Sequence, residues 1–85
     1  MKHLIISFKS RNDIYSFADI LKRNNIFYSI INAPKNIGSS CMLAIKTNFQ
    51  NYHLVQNLLN NKPKSFLGLF LISPSIHANQ TIRLL

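Results

Sequence analysis

The chain has 85 residues, of which 47% are hydrophobic, and carries a net charge of +8 from ten basic and two acidic side chains. This length predicts a single domain with a small core, and its one cysteine excludes an internal disulfide. No apolar run approaches the roughly 18 residues of a membrane helix, and the short run after Lys2 is too brief for a secretory signal. We therefore expect a cytoplasmic protein.

The first two elements are predicted from local patterns. His3 to Phe8 is a β-branched and aromatic run, which is typical of a strand. Ser10 can cap the helix that follows, with Asp13 three residues on as a short capping-box acid. Apolar residues at i, i+3, i+4 and i+7 predict one buried stripe in this helix. The stripe consists of Ile14, Phe17, Ala18 and Leu21. Asn24 and Asn25 should end the helix, because Asn tolerates the left-handed conformation.

The rest of the chain predicts three further strands and one helix. The strands are expected at residues 26–32, 42–47 and 65–73, with a loop of about eight residues between the first two. A second helix should begin after Asn48 and end before Pro63. Its expected apolar side consists of Tyr52, Val55, Leu58 and Leu59.

The predicted element order is strand-helix-strand-strand-helix-strand. This order is typical of the α+β class and of the ferredoxin-like βαββαβ fold. Right-handed crossovers would then place both helices on one face of a four-stranded antiparallel sheet. We assign this domain to residues 1–73 and leave residues 74–85 as a C-terminal tail whose structure the sequence does not predict.

The strands are apolar on both faces, although a sheet with one face in water should alternate apolar and polar residues. One parity is expected to face the helices, and its members are Leu4, Ile6, Leu67, Leu69 and Leu71. The other parity forms an open face that is too apolar for water, and its members are Ile5, Phe66, Phe70 and Ile72. We expect a homodimer through this open sheet face, with the tail as the competing cover.

Cys41 is the residue best suited to carry chemistry. It follows Gly38, Ser39 and Ser40, whose hydroxyls and backbone N–H groups can stabilise a thiolate, and Lys35 adds a positive charge to the same loop. The alternative is a small buried apolar residue, since free cysteine is commonly buried.

Other chemistries are poorly supported. The three histidines are dispersed, so neither a metal site nor another cofactor is predicted. The two carboxylates, Asp13 and Asp19, lie on one predicted helix and do not form a catalytic pair. The predicted third strand has no aromatic residue, whereas an RNA-recognition sheet stacks bases on aromatics of its first and third strands. We expect only weak, sequence-independent nucleic-acid binding that fades as salt rises.

Two motifs resemble a known family. Phe8-Lys9-Ser10 connects the first strand to its helix, and the loop Pro34-Lys35-Asn36-Ile37-Gly38-Ser39-Ser40-Cys41 runs into the strand residues Leu43-Ala44-Ile45. Together they resemble the small bacterial domains of the selenium/sulfur carrier-like family over about the first 73 residues. Two positions differ, because Gly38 replaces a serine and Met42 replaces the glycine that usually follows the cysteine.

The resemblance implies a carrier that holds sulfur or selenium on Cys41 as a persulfide or perselenide, and that docks donor and acceptor proteins. Such a protein is a carrier more than a turnover enzyme. A second cysteine would expel the carried atom by forming a disulfide, and the chain has none. Two other functions stay open. One is a non-catalytic dimeric module that binds a small ligand or a protein, with Cys41 as a packing residue, and the other is a basic nucleic-acid-binding module.

Overall fold

A computed structural model describes residues 2–33, 43–73 and 80–84. These residues form an α+β fold with two α-helices and a five-stranded antiparallel sheet. The strands are β1 (His3–Phe8), β2 (Tyr28–Asn32), β3 (Leu43–Asn48), β4 (Phe66–Ser73) and β5 (Gln80–Arg83). The helices are α1 (Arg11–Arg23) and α2 (Tyr52–Leu58), and short 3₁₀ turns at Phe49–Asn51 and Leu59–Asn61 flank α2.

The strand order across the sheet is β2-β3-β1-β4-β5. The first six helices and strands follow the predicted sequence of elements, but the prediction of four strands is wrong. Part of the tail adds a fifth strand, in which Gln80 pairs with Ser73 and Arg83 pairs with Phe70. The added strand satisfies backbone groups along the outer edge of β4 that would otherwise be exposed. The described part of the tail thus extends the sheet.

Helix α1 begins and ends as predicted. The side chain of Ser10 accepts a hydrogen bond from the Asp13 N–H at 3.4 Å, which confirms it as the N-cap. The carboxylate of Asp13 accepts a hydrogen bond from the Ser65 hydroxyl, so it ties the first turn of α1 to the segment before β4. Asn24 is the C-cap, and Asn25 takes the left-handed conformation with a φ of 59°.

Helix α2 is shorter than predicted. Asn48 precedes it with an extended backbone, but its side chain makes no capping hydrogen bond, and the chain enters α2 through a 3₁₀ turn. The expected apolar side is nevertheless correct. Val55 and Leu59 are buried, and Tyr52 and Leu58 pack against the same core.

Both helices pack on one face of the sheet around a single core. Its buried members are Leu4, Ile6, Phe8, Ile14, Phe17, Ala18, Leu21, Ile26, Ile45, Val55, Leu59, Leu69 and Leu71. The predicted stripe of α1 is entirely buried in this core. No helix among the described residues is both long and apolar enough to cross a membrane.

The opposite face carries a smaller cluster. Ile5 and Ala44 are buried there, and the partly buried residues packed against them are Ile31, Ala33, Phe70 and Ile72. We call these six residues the open-face cluster. They confirm the predicted faces except at Phe66 and Leu67. Phe66 lies on the helix side with its ring centroid 5.7 Å from that of Phe8, and Leu67, predicted to face the helices, belongs to neither cluster. The cause is a register shift that passes over Leu67, since Ser7 pairs with Gly68 but Phe8 pairs with Phe66.

Candidate functional site

The predicted site lies outside the described residues. Its members are Cys41, Lys35, Gly38, Ser39 and Ser40. The structure describes the two ends of the segment that contains them, because Asn32 at the end of β2 pairs directly with Leu43 at the start of β3. Both ends of the segment therefore lie at one end of the sheet. We call this the loop end, and its described members are Phe8, Asn32, Leu43 and Phe66.

The loop end is joined to helix α1 and to the start of β4 by hydrogen bonds. The backbone N–H of Lys9, just after β1, donates to the Ser65 carbonyl at 2.7 Å. The Ser65 hydroxyl donates to the carboxylate of Asp13 in the first turn of α1. These bonds hold the end of β1, the beginning of α1 and the beginning of β4 together at the end of the sheet where the cysteine segment joins β2 and β3.

Exposed cations surround the loop end. They are Lys9, Arg11, Lys62 and Lys64. The chain has only two carboxylates. Asp13 is already hydrogen-bonded to Ser65, and Asp19 forms an ion pair with Arg23 at the other end of α1. The loop end is therefore an electropositive region, which favours the anionic form of a nearby group, although salt screens exposed charges.

Ser7 is a further candidate for a functional residue, and the sequence analysis did not single it out. Its side chain is fully buried, and its hydroxyl has no hydrogen-bond partner within residues 2–33, 43–73 and 80–84. It lies on the open face between Ala44 and Gly68. Leaving a buried hydroxyl unpaired costs about 1–3 kcal/mol. In the sequence, Ser7 is recognisable only as a polar residue within a largely apolar strand. That pattern is too common to indicate a functional site.

An aromatic ring and a guanidinium group lie beside Gly68, the residue of β4 that pairs with Ser7. A Cβ atom placed on Gly68 would lie 2.8 Å from Cζ of Phe70, so the ring covers the space that a side chain would otherwise fill. The guanidinium carbon of Arg83 is 5.7 Å from the centre of this ring, and the same group donates to the Leu67 carbonyl at 2.6 Å. This arrangement adds one more cation to the open face near the loop end.

Across the described ranges, no three His, Cys, Asp or Glu side chains come close enough to hold a metal ion together. The chain gives no significant match to curated proteins or to solved structures. Residues 3–71 match the family described as "Putative Se/S carrier protein-like". The match runs from β1 into β4 and includes the segment with Cys41. The chain therefore belongs to this Se/S carrier-like family.

Proposed function

We propose that this protein carries sulfur or selenium on Cys41, as a persulfide or a perselenide. The observation that carries the proposal is the family match, which spans most of the chain and contains its single thiol. The electropositive loop end supports it, because a thiolate is the reactive form of cysteine and positive surroundings favour that form.

The proposed exchange needs neither an oxidant nor a cofactor. The Cys41 thiolate attacks the outer sulfur of a persulfide on the donor protein, the donor's S–S bond breaks, and the donor leaves as a thiolate. Cys41 then holds the outer sulfur as –S–SH. In the second step an acceptor thiolate attacks that sulfur, and Cys41 leaves as a thiolate. With selenium the outer atom of the donor is selenium and the balance is the same.

The loop residues have supporting roles in this proposal. Gly38, Ser39 and Ser40 would shape the turn and offer N–H and hydroxyl donors to the anion, and Lys35 would favour the thiolate. The exposed cations of the loop end would attract donor and acceptor proteins with acidic surfaces and speed their encounter. We place the exchange in the cytoplasm, where thiols are kept reduced.

The open-face cluster supports a homodimer as part of the same proposal. Four of its six members, Ile31, Ala33, Phe70 and Ile72, are only partly buried, and apolar surface left in contact with water is typical of an interface. A dimer formed there would leave the exposed cations of the loop end available to donor and acceptor proteins, because they surround one end of the sheet.

Reaction with a small-molecule persulfide tests the carrier role. The reduced protein is treated with the persulfide, freed of excess reagent and analysed by mass spectrometry, and Cys41→Ser is the control. We expect one added sulfur on the wild type, none on the variant, and transfer of that sulfur to an added thiol. Alkylation rates measured against pH should show an inflection below the ordinary thiol pKa of about 8.5. A thiol that reacts only after denaturation would instead favour the packing role of Cys41.

A further inference from the structure

A shallow cleft lies at the end of the sheet opposite the loop end. It has a volume of about 160 Å³ and is lined by His3, Phe27, Ser29, Lys46 and Asn48, together with Tyr28 and Thr47. Asn48 and Leu43 are the two ends of β3, which places them about 17 Å apart at the usual rise of a strand. This cleft, which we call the His3 cleft, therefore lies at the opposite end of β3 from Leu43, where the cysteine segment joins the sheet.

Four residues with polar side chains line the His3 cleft. His3 lies directly opposite Asn48, and Lys46 lies directly opposite Ser29. Residues 46 and 48 share one face of β3, about 7 Å apart. The side chains of these residues carry an ammonium, an imidazole, a hydroxyl and an amide, and the cleft that they line is large enough for a tetrahedral oxyanion. All four can donate hydrogen bonds.

The charge around the His3 cleft is positive. Both carboxylates of the chain, Asp13 and Asp19, lie on α1, and α1 packs on the other face of the sheet. Burial, and after it the nearby Lys46 ammonium and the amino terminus, lowers the pKa of His3 from its ordinary value of 6.5. The neighbours of His3 on β3 and β4, Asn48 and Ile72, are uncharged. An anion would relieve the repulsion between Lys46 and a protonated His3.

Phe27 borders the His3 cleft with an exposed aromatic ring. Its side chain is 86% exposed, although burying such a ring would normally be favourable. Its carbonyl accepts a hydrogen bond from the Thr47 hydroxyl at 2.6 Å, which fixes the backbone and leaves the ring in solvent beside the cleft. An exposed ring next to a cationic pocket offers a surface on which a nucleobase can stack.

We propose that the His3 cleft binds a phosphate-type oxyanion, either free or as the phosphate of a mononucleotide. Lys46 provides the charge, and His3, Ser29 and Asn48 provide hydrogen bonds. The imidazole of His3 takes part best when it is protonated, so binding weakens as pH rises through the pKa of His3. Binding in turn raises that pKa, because the two equilibria are linked.

Sulfate is the probe for the first experiment, because its charge stays constant between pH 5 and 8. The His3 ring is followed by NMR across this range with and without sulfate. We expect sulfate to move the His3 titration to higher pH. Lys46→Gln should weaken sulfate binding about tenfold, as expected for loss of one charged hydrogen bond. Lys9→Gln is the matched control, because it removes the same charge at the loop end and should bind as the wild type does.

A second variant guards against a fold defect in Lys46→Gln. Ser29 is exposed, so Ser29→Asp should fold, and its carboxylate should abolish sulfate binding.

Phosphate and AMP then distinguish the two sources of the oxyanion. AMP binding that is tighter than phosphate binding, and that is reduced to the phosphate level by Phe27→Ala, identifies a nucleotide, whereas equal affinities identify a free oxyanion. A His3 titration that does not respond to sulfate, or equal effects of Lys46→Gln and Lys9→Gln, would overturn the proposal.

Discussion

Ser7 carries an energetic penalty in the centre of a five-stranded sheet. Its neighbours Ala44 and Gly68 have no side-chain atom that could accept a hydrogen bond from its hydroxyl, and the ring of Phe70 occupies the space above Gly68. A buried hydroxyl without a hydrogen-bond partner lowers the free energy of unfolding by about 1–3 kcal/mol. Ser7 pairs with Ala44 in β3, which begins two residues after Cys41, so we ask whether this hydroxyl takes part in the proposed carrier chemistry.

Replacing Ser7 with alanine answers that question. We expect Ser7→Ala to leave the free energy of unfolding unchanged or to raise it by about 1 kcal/mol, because an unpaired buried hydroxyl is removed. If the hydroxyl instead donates to the Cys41 thiolate, the variant should alkylate more slowly at neutral pH and should gain no stability. Chemical denaturation and alkylation rates measure the two effects. A loss of stability with unchanged alkylation would show that the hydroxyl has only a structural partner.

His3 gives the fold a predictable pH dependence. Its pKa is lowered in the folded protein, mainly by burial and then by Lys46, so the unfolded chain binds its proton more tightly. The stabilising contribution of neutral His3 is complete above pH 6.5 and is lost as pH falls from there through the lowered pKa. We expect His3→Gln to flatten the stability profile in that window. Urea denaturation between pH 4 and 8 measures it, and parallel profiles for the two proteins would contradict the expectation.

At the scale of whole elements, the sequence predicts best what depends on local chemistry. The apolar stripe of α1, its Ser10 cap and the left-handed Asn25 were all visible, because each depends on residues within one or two turns. The position of Phe66 was not, since it depends on how β4 pairs with β1 around Leu67. Strand β5 was missed for the same reason. Its residues, Gln80–Arg83, have little apolar periodicity, and pairing with the edge of β4 makes them a strand.

The contribution of β5 can be measured with two variants of neighbouring residues. Leu84 packs against the main core, and its N–H donates to the Leu69 carbonyl at 2.7 Å, whereas Ile82 is 47% exposed. Leu84→Ala should lower the free energy of unfolding by about 1–2 kcal/mol, less than for a fully buried leucine. Ile82→Ala should cost less than half as much. Equal losses would mean that β5 contributes through strand propensity and not through core packing.

At the scale of the molecule, a charge of +8 and an apolar open face have opposite effects on self-association. The proposed dimer would cover the open-face cluster, while Lys46 and Arg83 on the same face would repel their copies. Salt screens such repulsion, so dimerisation should strengthen as the salt concentration rises. Sedimentation at micromolar concentration measures it. Phe70→Lys should shift the protein to monomer, and Leu54→Lys on the exposed side of α2 should not. A monomer at every salt concentration would show that the open face is not a dimer interface.

The candidate site shows the limits of sequence reasoning at this scale. Two observations singled out Cys41: the composition of its loop and a family resemblance. The family match confirms the resemblance. The cations of the loop end are separated along the chain, from Lys9 to Lys64, and only the pairing of β1 with β3 and β4 shows that they surround one end of the sheet. The His3 cleft likewise combines residues from three strands, which no local pattern could indicate.

Mass spectrometry of the protein purified without reductant tests most directly whether Cys41 carries sulfur or selenium. We expect a fraction of the native protein to have gained one sulfur or selenium atom, located on the peptide that contains Cys41 and removed by treatment with a thiol. Cys41→Ser prepared in parallel should show no such adduct. Native protein that has only an unmodified thiol, and that still gains no sulfur when treated with a persulfide, would contradict the account.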